Sequence, residues 1–138
     1  EELKQLLQTP TALVSIMMAN NEVGSIFPIK EITELAHSHG ALMHTDAVQS
    51  LGKMPISIKS LGVDYASFSS HKFYALKGSG LLYVKRNSPF TNLIHGGGQE
   101  RGRRAGTENT LAIASLGYMI KKYGSAVQAE DAPVLKQM

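Results

Sequence analysis

The sequence predicts an α/β fold: a mixed, mostly parallel sheet flanked by helices. Short apolar runs at 12–19, 41–46 and 64–69 alternate with helical patterns, and such β-α-β alternation implies parallel strands joined by crossovers. A fourth run at 80–85 follows the third too soon for the crossover of about a dozen residues that a parallel strand needs, so it is expected to run antiparallel. The composition agrees with a globular domain. The 138 residues are 43% hydrophobic and 18% charged, and the length suits one domain at roughly 100–200 residues each. Thirteen glycines against five prolines point to many tight turns without low-complexity disorder.

The elements follow in order. Residues 2–7 read as a helix closed by Pro10, and 12–19 (ALVSIMMA) as a strand buried on both faces, because polar residues hardly interrupt it. A polar loop at 20–24 precedes Pro28, which suits the first position of a helix with Ile29, Ile32, Leu35 and Ala36 on one face. Gly40 sits where a helix C-terminus wants glycine. The second strand is 41–46, the third 64–69, and 58–62 is a short helical crossing between them. A glycine-rich loop at 95–106 leads into a helix with Ile113, Leu116, Ile120 and Tyr123 on its packed face. No internal repeat is visible. Glu1 begins inside one helical pattern and Met138 stops inside another, as expected of an internal piece of a longer protein.

Several function classes lose support. With no cysteine, the chain has no disulfide framework, thiolate metal site or thiol nucleophile of its own. A dispersed net charge of +3 does not argue for nucleic acid, and Arg101, Arg103 and Arg104 lack interleaved stacking aromatics. His37, His39 and His44 are not at metal-ligand spacing, so no metal is expected, and the six methionines read as core filler. No apolar run approaches the ~20 residues of a membrane span. The charged N-terminus is unlike a signal peptide, and no membrane partner is expected.

In open α/β sheets, ligands bind beyond the carboxyl ends of the strands. The first strand delivers Asn20-Asn21-Glu22 to that edge, the second Asp46 with Gln49, and the third Ser69-Ser70-His71-Lys72. A lysine amine can form a Schiff base, and desolvation or nearby positive charge frees it as a nucleophile. An aspartate facing a pyridine nitrogen keeps that ring protonated, which is the pairing expected for pyridoxal phosphate. Hydroxyls, an imidazole and backbone N–H groups suit a phosphate, and the run at 96–107 adds anion donors ahead of a helix. Each residue also has a plainer reading. Lys72 could be a solvated surface residue, Asp46 or Thr107 a helix cap, His71 a partner for a backbone carbonyl, Asn21 a turn former and Gln49 solvent-facing.

Ser69-Ser70-His71-Lys72 followed by Gly78-Ser79-Gly80, with Asp64 ahead, resembles the lysine signature of class V aminotransferase-like, fold-type I pyridoxal-phosphate enzymes. Asn20-Asn21-Glu22-Val23-Gly24, His44-Thr45-Asp46-Ala47-Val48-Gln49-Ser50 and the run at 96–107 are similar to cysteine desulfurases of the NifS/IscS type. The similarity covers residues 10–123, with four motifs in the family's order.

The resemblance implies a role for each residue. Lys72 would carry the cofactor and shuttle the substrate α-proton. Asp46 would pair with the pyridine nitrogen. Gln49 would hydrogen-bond the phenolic oxygen, with Asn21 near it. Ser69 and His71 would hold the phosphate. Thr107 would reach the phosphate of a neighbouring subunit, implying a homodimer. Gln99 stands where many relatives have histidine, with little consequence expected. The implied reaction converts L-cysteine to L-alanine and leaves an enzyme persulfide for sulfur-acceptor or iron–sulfur scaffold proteins in the cytoplasm. Residues 1–138 would be part of the large cofactor-binding domain. The family's nucleophilic cysteine and carboxylate-binding arginine would lie in an absent C-terminal portion that includes the small domain. Its stacking histidine and a phosphate loop would lie N-terminally, leaving this piece inactive alone. Alternatives are another class V enzyme (a selenocysteine lyase or an aminotransferase) or a truncated, non-enzymatic dimerisation module.

Overall fold

The computed structural model describes residues 1–127, with side chains through Tyr123. The helical pattern running to Met138 lies outside the described residues. The elements are α1 (Glu2–Leu6), β1 (Leu13–Met17), α2 (Ile29–Ser38), β2 (Leu42–Asp46), α3 (Ile58–Leu61), β3 (Tyr65–Ser69), a 3₁₀ turn (Ser70–Phe73), β4 (Gly80–Val84), a second 3₁₀ turn (Glu100–Gly102) and α4 (Thr110–Val127). The sheet order is β1-β2-β3-β4. β1, β2 and β3 pair in parallel and β4 is antiparallel to β3, as the short connection requires.

Because side chains alternate along a strand, the register sorts the sheet into two unlike faces. Val14 and Met43 lie side by side on one face, and Ile16, Thr45, Ala66 and Tyr83 form the next row. This face builds the core with Leu7, Met18, Ile29, Ala36 and Val63. Fully burying a side chain such as Met43 is worth about 1.5–3 kcal/mol. Thr45 is also buried there, and its hydroxyl donates to the Ile16 carbonyl at 2.9 Å. The other face carries Leu13 and Leu42, then Ser15, His44 and Tyr65, then Met17, Asp46 and Ser67.

β1 is therefore not buried on both faces. Among the described residues it stands at the edge of the sheet with one face covered, and Leu13 is 48% exposed. Its apolar run continues past the strand because Met18 turns into the core and Phe27 N–H returns to the Met18 carbonyl at 2.9 Å. The polar loop is thus the tip of a small hairpin closed by an Ala19–Ile26 bridge.

Pro28 occupies the cap position of α2 rather than its first helical residue, and the helix buries Ile29, Thr33 and Ala36. Ile32 and Leu35 pack at the margin of the core. Thr33 escaped the apolar pattern because its hydroxyl is satisfied within the helix, donating to the Ile29 carbonyl at 2.7 Å. Gly40 closes the turn after α2 with φ 75°, and Gly62 caps α3 with φ 72°. In α4 the packed residues are Ala112, Ser115, Leu116 and Met119, while Ile113 and Ile120 face outward at 51% and 43% exposure. That packed side meets the 3₁₀ turn Ser70–Phe73. No described helix is long and apolar enough to cross a membrane.

At the amino end of β3, buried Asp64 ties three elements together. It accepts from the Met43 N–H at 2.9 Å and lies 2.7 Å from His37 of α2 and 3.8 Å from Lys85 after β4. Burial pushes its carboxyl up, but the Met43 N–H, His37 and Lys85 together hold it below its ordinary value of 3.8. A depressed folded value means that the stabilisation is complete above the ordinary value and is lost as pH falls through the folded one. We expect Asp64→Ala to cost about 1–3 kcal/mol at neutral pH by orphaning the Met43 N–H. In urea unfolding of the full-length protein, the gap between wild type and variant should narrow below about pH 4. A gap independent of pH would contradict this account.

Candidate functional site

Parallel pairing aligns the carboxyl ends of three strands. Met17, Asp46 and Ser67 form one cross-strand row, so the residues that follow each strand emerge at a common edge. Hydrogen bonds from Met18 N–H to the Asp46 carbonyl (2.8 Å) and from Ala47 N–H to the Ser67 carbonyl (3.0 Å) carry the alignment past the strands.

Asp46 is half-buried. Its Oδ1 accepts from the Val48 N–H at 2.9 Å, a local Asx turn of the kind the capping alternative anticipated, but an irregular series of turns follows instead of a helix. No cation pairs with Asp46 among the described residues, and Oδ2 has no hydrogen-bond partner among them. Gln49 is likewise half-buried, and its Oε1 accepts from Lys53 Nζ at 2.9 Å.

Lys72 is the third residue of the 3₁₀ turn that follows β3; it is exposed and makes no ion pair among the described residues. The turn is held from several sides. Buried Ser70 receives a hydrogen bond from Ser79 at 2.8 Å, and Leu76 N–H donates to Ser115 of α4 at 3.2 Å. Phe73, 1% exposed, lies against Gly52 so closely that a Cβ there would overlap its ring. That contact joins the segment carrying Asp46 and Gln49 to the segment carrying Lys72. Ser69 Oγ and His71 Nδ1 share a hydrogen bond of 2.9 Å, so His71 meets a neighbouring hydroxyl rather than a backbone carbonyl.

Other assignments shift by one or two residues. The turn after β1 is shaped by Asn20, whose Oδ1 accepts from the N–H groups of Glu22 and Val23 at 2.8 and 3.0 Å. Asn21 stands exposed at the hairpin tip. Thr107 is exposed and does not cap α4; Asn109 does, accepting from the Ala112 N–H at 3.1 Å. The glycine-rich loop contains a 3₁₀ turn with Glu100 and Arg101 in the left-handed region at φ 49° and 58°. Gln99 has a structural task there, for its Oε1 accepts from the Gly106 N–H at 3.1 Å and closes the loop.

One cluster was not anticipated. His44 lies between two serines on the open face, 2.7 Å from Ser15 and 3.2 Å from Ser67, cross-linking all three parallel strands beside Asp46. The signal was present as Ser15, His44 and Ser67, but only the register reveals that Ser15 stands directly beside His44 and Ser67 one row further along the same face.

A family model described as "Aminotransferase class-V" matches residues 1–133. The chain belongs to the aminotransferase class-V family. Among curated members, it is 52% identical over 121 residues to the cysteine desulfurase IscS of Clostridium botulinum, covering 88% of this chain and 30% of that protein. It is 45% identical over 134 residues to the cysteine desulfurase NifS of Azotobacter vinelandii, covering 97% and 33%. Among solved structures, the NifS-like protein of Rickettsia africae superposes with a TM-score of 0.86 at 41% identity, covering 91% of this chain and 36% of that one. The chain thus spans about a third of the length of the curated relatives it matches. These likenesses agree with the mixed α/β class-V architecture read from the sequence.

The Gly52–Phe73 contact gives a direct test. Gly52→Ala places a methyl group into the Phe73 ring at a position with φ 77°, which a side chain rarely adopts. We expect a loss of about 1–3 kcal/mol, read by thermal melting of the full-length protein. The turn that carries Lys72 should lose its seat with it, because Phe73 belongs to that turn.

Proposed function

We propose that this chain is part of the large, cofactor-binding domain of a pyridoxal-phosphate-dependent cysteine desulfurase. The observation that carries the reading is the placement at neighbouring strand ends of half-buried Asp46, whose Oδ2 accepts from no described residue, and of Lys72, whose amine makes no ion pair among the described residues. A protonated pyridine nitrogen would meet that oxygen with an N–H donor and an opposite charge. Ser69 and His71, already joined, offer a hydroxyl and an imidazole suited to the phosphate. The donor set therefore fits the cofactor. Names of relatives that contain the word desulfurase support the same reading.

Bound there, pyridoxal phosphate would supply an electron sink that stabilises negative charge at the substrate α-carbon. Lys72 Nζ would hold the cofactor's aldehyde carbon and then move the proton at that α-carbon. Asp46 would keep the ring nitrogen protonated, while Gln49 and Asn21 would face the phenolic oxygen. Thr107, on the exposed loop before α4, would contact the phosphate held by a second copy, making the enzyme a homodimer. Overall, L-cysteine and an enzyme thiol become L-alanine and an enzyme persulfide, which balances atoms and electrons. The thiol comes from a portion of the protein beyond these residues, and the persulfide sulfur passes to acceptor or iron–sulfur scaffold proteins in the cytoplasm.

Borohydride reduction of the full-length protein loaded with pyridoxal phosphate should place the reduced adduct on Lys72, as mapped by peptide mass spectrometry. Asp46→Ala should weaken cofactor binding about tenfold or more, the worth of a hydrogen bond to a charged group. Labelling scattered over other lysines, with Lys72 unmodified, would overturn the assignment.

A further inference from the structure

We propose that Lys53 is a positioning residue that fixes the side-chain amide of Gln49 so that its NH₂ group, not its oxygen, faces the cofactor. The inference rests on the reading of Gln49 as the partner of the phenolic oxygen. An ammonium has three donors and no acceptor, whereas an amide presents an acceptor at one end and two donors at the other. Lys53 Nζ lies 2.9 Å from Gln49 Oε1, so the oxygen is committed to Lys53, and Nε2 is the end without a partner among the described residues. Without that commitment the two ends of an amide differ so little in shape that neither orientation is enforced.

The backbone makes the pairing possible. Leu51 N–H bonds to the Ala47 carbonyl at 3.3 Å and Met54 N–H to the Ser50 carbonyl at 3.2 Å. These single helical turns bring residues four apart onto one side, as in a helix. Gly52, between the two residues, is buried against Phe73 of the lysine-bearing turn, which anchors the segment. Lys53 itself is half-buried and forms no ion pair among the described residues, so the amide is the partner recorded for its ammonium. Its charge also polarises the amide, strengthening Nε2–H as a donor.

An N–H aimed at the phenolic oxygen stabilises its anionic form and competes for it with a proton shared with the lysine nitrogen. Losing that donor raises the pH at which the bound cofactor's absorbance changes. The test uses the full-length protein loaded with pyridoxal phosphate, and reads that midpoint and the cofactor dissociation constant. Lys53→Met should raise the midpoint by about one pH unit and weaken binding about tenfold, the worth of one charge-assisted hydrogen bond. Lys53→Arg, still a pure donor, should restore both. In a Gln49→Leu background, Lys53→Met should add nothing, because it acts through an amide that is gone. A midpoint moved by Gln49→Leu but not by Lys53→Met overturns the proposal alone, as does an equal Lys53→Met effect with and without Gln49. No shift in either variant while cofactor still binds overturns the Gln49 reading and the proposal with it.

Discussion

The parallel register of β1, β2 and β3 is the constraint on which the rest depends. Pairing Met17 with Asp46, and Asp46 with Ser67, brings three carboxyl ends to one edge, although the residues lie 29 and 21 positions apart in sequence. A slip of one residue in β2 would exchange its faces. Asp46 would then enter the core row now held by Thr45, and Met43 would leave its place beside Val14. Core packing and site geometry are therefore enforced by the same hydrogen bonds, and neither can change without the other.

Two aspartates show how position on that sheet divides labour. Asp64, at the amino end of β3, is buried and engaged by a backbone N–H, His37 and Lys85, so its charge is spent on joining α2, β2 and the segment after β4. Asp46, at the carboxyl end of β2, keeps one oxygen open and meets no cation among the described residues. The chemistry of the side chain is the same; the difference lies in what the strand ends bring to it. A fully partnered carboxylate stabilises a fold, and an incompletely partnered one is available to a ligand.

Between these poles, the turns after β2 and β3 act as one unit. Gly52 yields space to Phe73, Ser79 holds Ser70, and Ser115 of α4 holds the Leu76 N–H. The lysine-bearing turn is thus braced by β2's exit segment, β4's entry and α4. The open sheet face beside it is polar near the site, where Ser15, His44 and Ser67 are linked by hydrogen bonds. A site needs such bracing because groups that must meet a ligand cannot also be buried in the core.

Fold class, strand order in sequence, the antiparallel β4 and the glycine stop after α2 were legible from the chain alone. Each follows from local rules: apolar period, connection length and the backbone freedom of glycine at positive φ. The motif residues, too, could be assigned to strand ends. The exposed Leu13 and outward Ile113 and Ile120 were not legible, because an apolar residue does not say whether another layer will cover it. Nor was the transfer of turn shaping to Asn20 or of capping to Asn109, since the candidates are near neighbours of similar chemistry and only geometry separates them. The partners of Gln49, His44 and Asp64 likewise required the folded chain. Hydrogen bonds act over about 3 Å, a distance that sequence separation does not encode and that only the register and the packed turns decide.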